Sequence, residues 1–139
     1  MNIIISAATK EEVQTGYVGR QLREFNYRHV GEYPETQYIR LNARDGEGSV
    51  VGGIRALVFM YWLRVEVLWV HDQLRGTGIG SRLPAEAETI ALALGAKNSV
   101  LETFEWQAPT FYVKHGYREV SRIENYIGRF HLLLMKKRL

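Results

Sequence analysis

The sequence predicts a single α/β domain over residues 1–139, built on a mixed central sheet of about six to seven strands flanked by helices. Three observations carry that expectation. Helical and strand periods alternate along the chain. A nearly continuous apolar strand, Leu63 to Val70, runs straight into a glycine loop and a helix. That helix then leads to a further strand, which implies a parallel pair joined by a right-handed crossover.

Taken in order, residues 2–7 read as a short strand, and Thr9-Lys-Glu-Glu12 is a capping-box pattern opening a helix. Val13, Val18, Leu22, Phe25 and His29 recur near helical spacing until Gly31, with Arg20, Arg23 and Arg28 largely between them. Tyr38 to Ala43 alternates as a strand, Asp45-Gly-Glu-Gly48 signals a hairpin, and Val50 to Met60 is the returning strand, interrupted at Gly52 and Gly53 as if by a bulge. Leu63 to Val70 has the composition of a strand covered on both faces, broken only by Arg64 and Glu66.

After the glycines, Ile79, Leu83, Ala87, Ile90 and Leu94 form one helical stripe that stops at Gly95. Pro84 removes a hydrogen bond to the residue four earlier, Gly80, so a local kink near the helix start is expected rather than an end to the helix. Ser99 to Phe104 is the next strand, Pro109 suits the first turn of a short helix running to His115, and Tyr117 to Arg122 and Phe130 to Lys136 close the chain as two strands. The last is apolar on both faces, which a partner subunit could cover in a homodimer.

Composition narrows the chemistry. The chain has 139 residues, enough to bury roughly 68% of the unfolded surface. Its longest apolar run, Ala56 to Leu63, is eight residues, too short to span a bilayer, and no secretory leader is evident, so a cytoplasmic protein without a membrane partner is expected. There are no cysteines, which removes disulfides, thiolate metal sites and a cysteine nucleophile together. The four histidines match no paired-ligand spacing, so no metal is expected. Net charge is +3, with the cations distributed rather than blocked. A nucleic-acid partner would rest on this basic balance alone, and an anionic ligand accounts for it equally.

Gly76, Gly78 and Gly80 leave backbone N–H groups uncovered where a helix begins, a ready site for a phosphate. The spacing fits neither a dinucleotide-binding fingerprint nor a P-loop. Taken alone, a tight turn explains these glycines as well as a phosphate cradle does.

Two matched segments then identify a family. Leu68-Trp-Val70 followed by Arg75-Gly-Thr-Gly-Ile-Gly80 resembles the Q/R-x-x-G-x-G/A acyl-coenzyme A motif of the GNAT superfamily of N-acetyltransferases. Ala108-Pro-Thr-Phe-Tyr-Val-Lys-His-Gly-Tyr117 is similar to that superfamily's A-x-x-x-Y-x-K-x-G-F/Y segment. The resemblance implies a splayed sheet whose slot takes the pantetheine arm of acetyl-CoA as acyl-donor cosubstrate, with no metal. It places Leu68, Trp69 and Val70 along that arm and Arg75, Gly76, Thr77, Gly78, Ile79, Gly80 and Ser81 around the pyrophosphate. A backbone N–H near Leu68 to Val70 would face the developing oxyanion.

Tyr112 is the implied general acid, protonating the departing thiolate. A phenol of pKa about 10 is close enough to a thiol of about 8.5 for that transfer. The alternative is a tyrosine that only packs, its hydroxyl satisfied elsewhere. Neighbouring Phe111 reads as core. Glu66 is a candidate base, since an isolated carboxylate in an apolar strand is costly and its pKa would be raised; the alternative is a carboxylate paired with Arg64, Arg55 or another cation, and Glu102, Glu105 and water are the reserves. The acceptor amine is expected over the first helix and the Gly31 to Glu35 turn, near Tyr27, Glu32, Tyr33, Phe104 and Trp106. His71 reads as a solvated turn residue.

The implied activity is direct acetyl transfer to a primary amine of a small molecule or peptide in a ternary complex. Many members carry Asn where this chain has Glu105, which keeps a second reading open, a cofactor-binding regulatory module with little turnover.

Overall fold

The computed structural model describes all residues, 1–139, and divides into two compact units, Met1–Tyr33 and Pro34–Leu139. The first holds helices α1 (Lys10–Thr15) and α2 (Tyr17–Val30). Thr9 and Glu12 form the anticipated capping box, each side chain bonding the other's backbone N–H. Residues 2–7 form no strand, and the helix expected to run unbroken to Gly31 is divided at Gly16, whose φ of 67° is left-handed. The glycine makes that turn without the steric penalty of a Cβ, and its N–H closes the first helix on Val13.

The second unit is a six-stranded mixed sheet in the order β1-β2-β3-β4-β6-β5, with β1 Gln37–Arg44, β2 Val50–Phe59, β3 Trp62–Val70, β4 Asn98–Phe104, β5 Arg118–Ile127 and β6 Phe130–Arg138. Helix α3 (Ile79–Ala93) carries the chain from β3 to β4, and α4 (Pro109–Lys114) lies between β4 and β5. Pro84 sits buried inside α3, and the helix continues through it. The Asp45 carboxylate shapes the first hairpin by accepting from the N–H groups of Glu47 and Ser49. No helix is long and apolar enough to cross a membrane.

One face of the sheet supplies the core. Ile39, Ile54, Ala56, Val58, Leu63, Val65, Leu101, Leu133 and Met135 pack with Leu83, Ala87 and Ala91 of α3. Below them Tyr117 shares a short hydrogen bond of 2.5 Å with the fully buried Ser99 hydroxyl. β6 lies between two neighbours, so Leu132, Leu133 and Met135 are already buried within one chain.

Two departures from regular pairing position the site. β3 pairs with β4 in parallel only from Trp62↔Asn98 to Val65↔Leu101, after which the strands share no rungs. Beyond that point β3 keeps its antiparallel partner on the other side, Val70 lying opposite Gly52. The second departure is a bulge: Val65 faces Ala56 and Val67 faces Arg55, so Glu66 is the unpaired extra residue. Leu63 and Val65 point into the core before it, Leu68 and Val70 after it, and the alternation has shifted by one. Glu66 and Val67 therefore both face outward. The strand expected to be covered on both faces is not: Val67 is 53% and Trp69 48% exposed.

Candidate active site

The gap between the diverging strands is a cavity of about 720 Å³, the size of a typical cofactor or small-ligand pocket. Glu66 to Val70 of β3 form one wall, Glu102 and Thr103 of β4 the other; Arg75, Gly76 and Gly80 stand at one end, and Trp106, Gln107, Ala108, Phe111 and Tyr112 complete the lining. The apolar residues exposed on β3 are thus the surface of a pocket. An N–H and C=O edge runs along this wall because β4 no longer pairs with it.

The glycine loop leaves backbone amides unpaired at the start of α3. After β3 a single 3₁₀ turn, Asp72–Leu74, is capped by His71, whose ring Nδ1 accepts from the Gln73 N–H. Gly76 and Gly78 follow with φ of 83° and 91°, a region other residues enter at a cost, and a Cβ at either would meet no protein atom within 4 Å. Gly78 caps α3 with no side-chain bond; the Ser81 and Arg82 amides bond the Gly78 carbonyl, while those of Gly78, Ile79 and Gly80 have no protein acceptor. Unpaired first-turn amides at the positive end of a fifteen-residue helix suit a phosphate, and the bare strand edge beside them suits an amide-bearing arm. These residues fit a phosphorylated pantetheine carrier. Close packing explains the glycine opposite the wall: a Cβ on Gly52 would lie 3.0 Å from the Trp69 carbonyl oxygen.

Tyr112 is held by α4, with Pro109 at the first turn as expected. Its ring packs edge-on against Tyr117, centroids 5.6 Å apart, and against Phe111 at 5.4 Å. Its hydroxyl has no protein partner and is not sealed from solvent, and the residue lines the cavity. Burial of the ring raises its pKa above the ordinary phenol value, so the group stays protonated and able to donate. Tyr117, deeper and bonded to Ser99, is pushed up to about 12, chiefly by burial.

The structure brings Leu68, Trp69, Val70, Arg75, Gly76, Gly80, Tyr112 and Glu66 to one cavity. Thr77, Gly78, Ile79 and Ser81 lie in the loop and first helical turn beside it. Thr77 bonds the Leu74 carbonyl, Ile79 packs against the core, and the Ser81 hydroxyl lies 2.9 Å from His115 Nε2. Ser81 thereby ties the loop's helix to the helix of Tyr112. His115 Nδ1 is 2.8 Å from the Phe111 carbonyl, so it carries the proton there and Nε2 accepts from Ser81.

Three readings need correction. Glu66 is exposed, because the bulge turns it outward, so the argument from burial lapses and its candidacy rests on position. No ion pair joins it to Arg64 or Arg55; Arg55 instead bonds the Leu41 carbonyl and the Asn42 side chain. Phe111 is not core but lines the cavity, its ring the nearest side chain to Gly80. Of the acceptor candidates, Trp106 lines the cavity and Phe104 stacks on it at 4.5 Å. Tyr27 and Tyr33 belong to the first unit, where the Tyr27 hydroxyl donates to the Tyr33 carbonyl at 3.0 Å and their rings meet at 4.9 Å; Glu32 is exposed there.

Glu105 has a structural partner. Its Oε1 accepts from the His131 N–H at 2.6 Å, pinning the turn after β4 to β6. Tyr126 and Phe130, which join Phe104 and Trp106 from the β5–β6 hairpin, carried no sequence signal beyond being aromatic.

Known proteins are similar to this chain. The acetyltransferase (GNAT) domain family matches residues 35–119. Blasticidin-S acetyltransferase of Streptomyces morookaense is 44% identical over 80 residues, 57% of this chain and 59% of that protein, so the match spans about three fifths of the relative's length. An acetyltransferase of Agrobacterium fabrum is 26% identical over 123 residues, 88% of each chain. The crystal structure of an acetyltransferase from Bacillus cereus superposes with a TM-score of 0.85 at 30% identity, covering 99% of this chain and 98% of that one. With its diverging parallel strands, glycine-opened helix and cavity tyrosine, this chain belongs to the GNAT acetyltransferase family.

Proposed function

We propose that the protein transfers an acetyl group from acetyl-CoA directly to a primary amine of a small molecule, both substrates bound together in the cavity between β3 and β4. The observation that carries this is the convergence on one cavity of a bare strand edge, a helix start with unpaired amides, a protonated phenol and two outward carboxylates, Glu66 and Glu102. The acceptors named by relatives such as blasticidin-S acetyltransferase support a small-molecule amine.

Acetyl-CoA would supply an activated thioester. The Gly78 to Gly80 amides and Arg75 would hold its pyrophosphate, and the β3 edge at Leu68 to Val70 its amide arm. An amine must be neutral to attack, so the excess proton needs an acceptor. Glu66 stands on the cavity wall for that role, directly or through water. Backbone N–H groups of the same wall would face the negative charge growing on the carbonyl oxygen, and Tyr112 would donate to the departing sulfur. A thiol-release screen of acetyl-CoA against aminoglycosides, nucleoside antibiotics, polyamines, amino acids and small peptides tests the reading. Release with one class of small amine is expected; no release with any amine, despite tight CoA binding, would favour a regulatory module.

A further inference from the structure

Trp106, on the cavity lining, belongs to a cluster of four aromatic rings. Phe104 and Trp106 stack nearly parallel, at 9° and 4.5 Å; Phe130 meets Trp106 edge-on at 5.1 Å, and Tyr126 leans on Phe104 at 5.5 Å. These rings are not a core: Trp106 is 53% and Tyr126 54% exposed. They come from two pieces of chain, the turn after β4 and the tip of the β5–β6 hairpin, and dedicated polar contacts fix each piece. The Gln107 side-chain oxygen accepts from the Phe104 N–H at 2.9 Å and from the Thr103 hydroxyl at 3.3 Å. Glu105 holds the His131 N–H, and the His131 ring nitrogen accepts at 3.0 Å from the N–H of Asn125, a residue in left-handed conformation where the hairpin register slips. That slip swings Tyr126 over Phe104. A half-exposed aromatic wall, tied down by these bonds, beside the carboxylates Glu66 and Glu102 matches a ligand with a planar ring on one side and an ammonium on the other.

We propose that Phe104, Trp106, Tyr126 and Phe130 form an acceptor platform, and that the acceptor is an amine carrying a planar conjugated ring within a few bonds of its nitrogen. The inference rests on the acyl-transfer reading of the same cavity and names the class of acceptor it serves. Trp106, which lines the cavity, is the specificity-determining contact, with Glu105 and His131 as positioning residues behind it.

The test uses two amines of equal charge and nearly equal size, 2-phenylethylamine and 2-cyclohexylethylamine, which differ in the planarity of the ring. Thiol release with saturating acetyl-CoA should favour the planar amine by about tenfold in kcat/KM, the size of one aromatic stacking contact. Trp106→Ala should reduce that ratio to about one while leaving the KM for acetyl-CoA unchanged, and Trp106→Phe should restore most of it. Equal kcat/KM for the two amines in the wild type, or an unchanged ratio in Trp106→Ala, overturns the platform. If neither amine releases thiol, the acyl-transfer reading is what suffers. Calorimetric titration of the same two amines into CoA-loaded protein then decides the platform by itself, equal affinities refuting it.

Discussion

Replacing Tyr112 by Phe removes one oxygen atom and little else. The ring keeps its contacts with Tyr117 and Phe111, and the lost hydroxyl has no protein partner to strand. Folding stability should therefore change by no more than about 0.5 kcal/mol, the range of substitutions that break no packing or hydrogen bond. CoA affinity should hold as well, because the loop amides and strand edge are untouched. Turnover should fall by about 10²- to 10⁴-fold, the ordinary contribution of general acid catalysis. The pH profile adds a second signature. Burial raises the Tyr112 pKa, so the wild-type acid stays protonated up to pH 10 and is lost only above it; that alkaline limb should vanish in the variant. Single-turnover thiol release across pH, with parallel CoA calorimetry and thermal denaturation, separates these quantities. Equal losses in turnover and CoA affinity, or full activity in the variant, would refute the acid role.

Three further outcomes are expected. Gly78→Val forces φ near 91° on a branched residue, costing about 1–3 kcal/mol, and places its side chain in the open space before the α3 amides; CoA binding should be abolished in a domain still folded by circular dichroism, and unchanged calorimetric affinity would remove the phosphate cradle. Glu66→Gln should lower kcat/KM and shift the acidic limb of its pH profile, while an unaltered limb would transfer the role to Glu102 or water. Tyr117→Phe strands the fully buried Ser99 hydroxyl and should destabilise the domain by about 1–3 kcal/mol in urea. Since Tyr117 has a folded pKa raised to about 12, the stability it contributes is whole below pH 10 and is lost as pH rises through 12. The variant's stability should be flatter over that window.

Periodicity and glycine placement made most of the sheet legible, because strands β1 and β4 and helix α3 bury one regular face each. What escaped was whatever depends on a count of residues between partners. Val67 and Trp69 look as buried as Leu63 and Val65 in a one-dimensional pattern, and only the pairing of Val65 with Ala56 and Val67 with Arg55 shows that they face the other way. The same slip exposed Glu66, which composition alone placed in an apolar setting. Gly16 looked like one more residue within a helix, yet its left-handed φ ends one helix and starts another. The loop and Tyr112 were readable because their motif spacing is local. Of the aromatic wall, Phe104 and Trp106 were readable but Tyr126 and Phe130 were not, since the two halves are joined by the β4–β6 pairing and by the Glu105 bond to His131.

The extra residue in β3 gives a single strand two independent audiences. Its first half answers to the core, where Leu63 is fully buried and any change of volume is felt at once. Past Glu66 the outward positions answer mainly to whatever occupies the cavity, so Val67 and Trp69 can vary in shape and polarity without disturbing the packing beneath. Pairing the same residues without the bulge would merge the two, driving Val67 and Trp69 inward and turning Leu68 and Val70 out. A spare residue in the backbone thus lets ligand preference drift while the fold stays put.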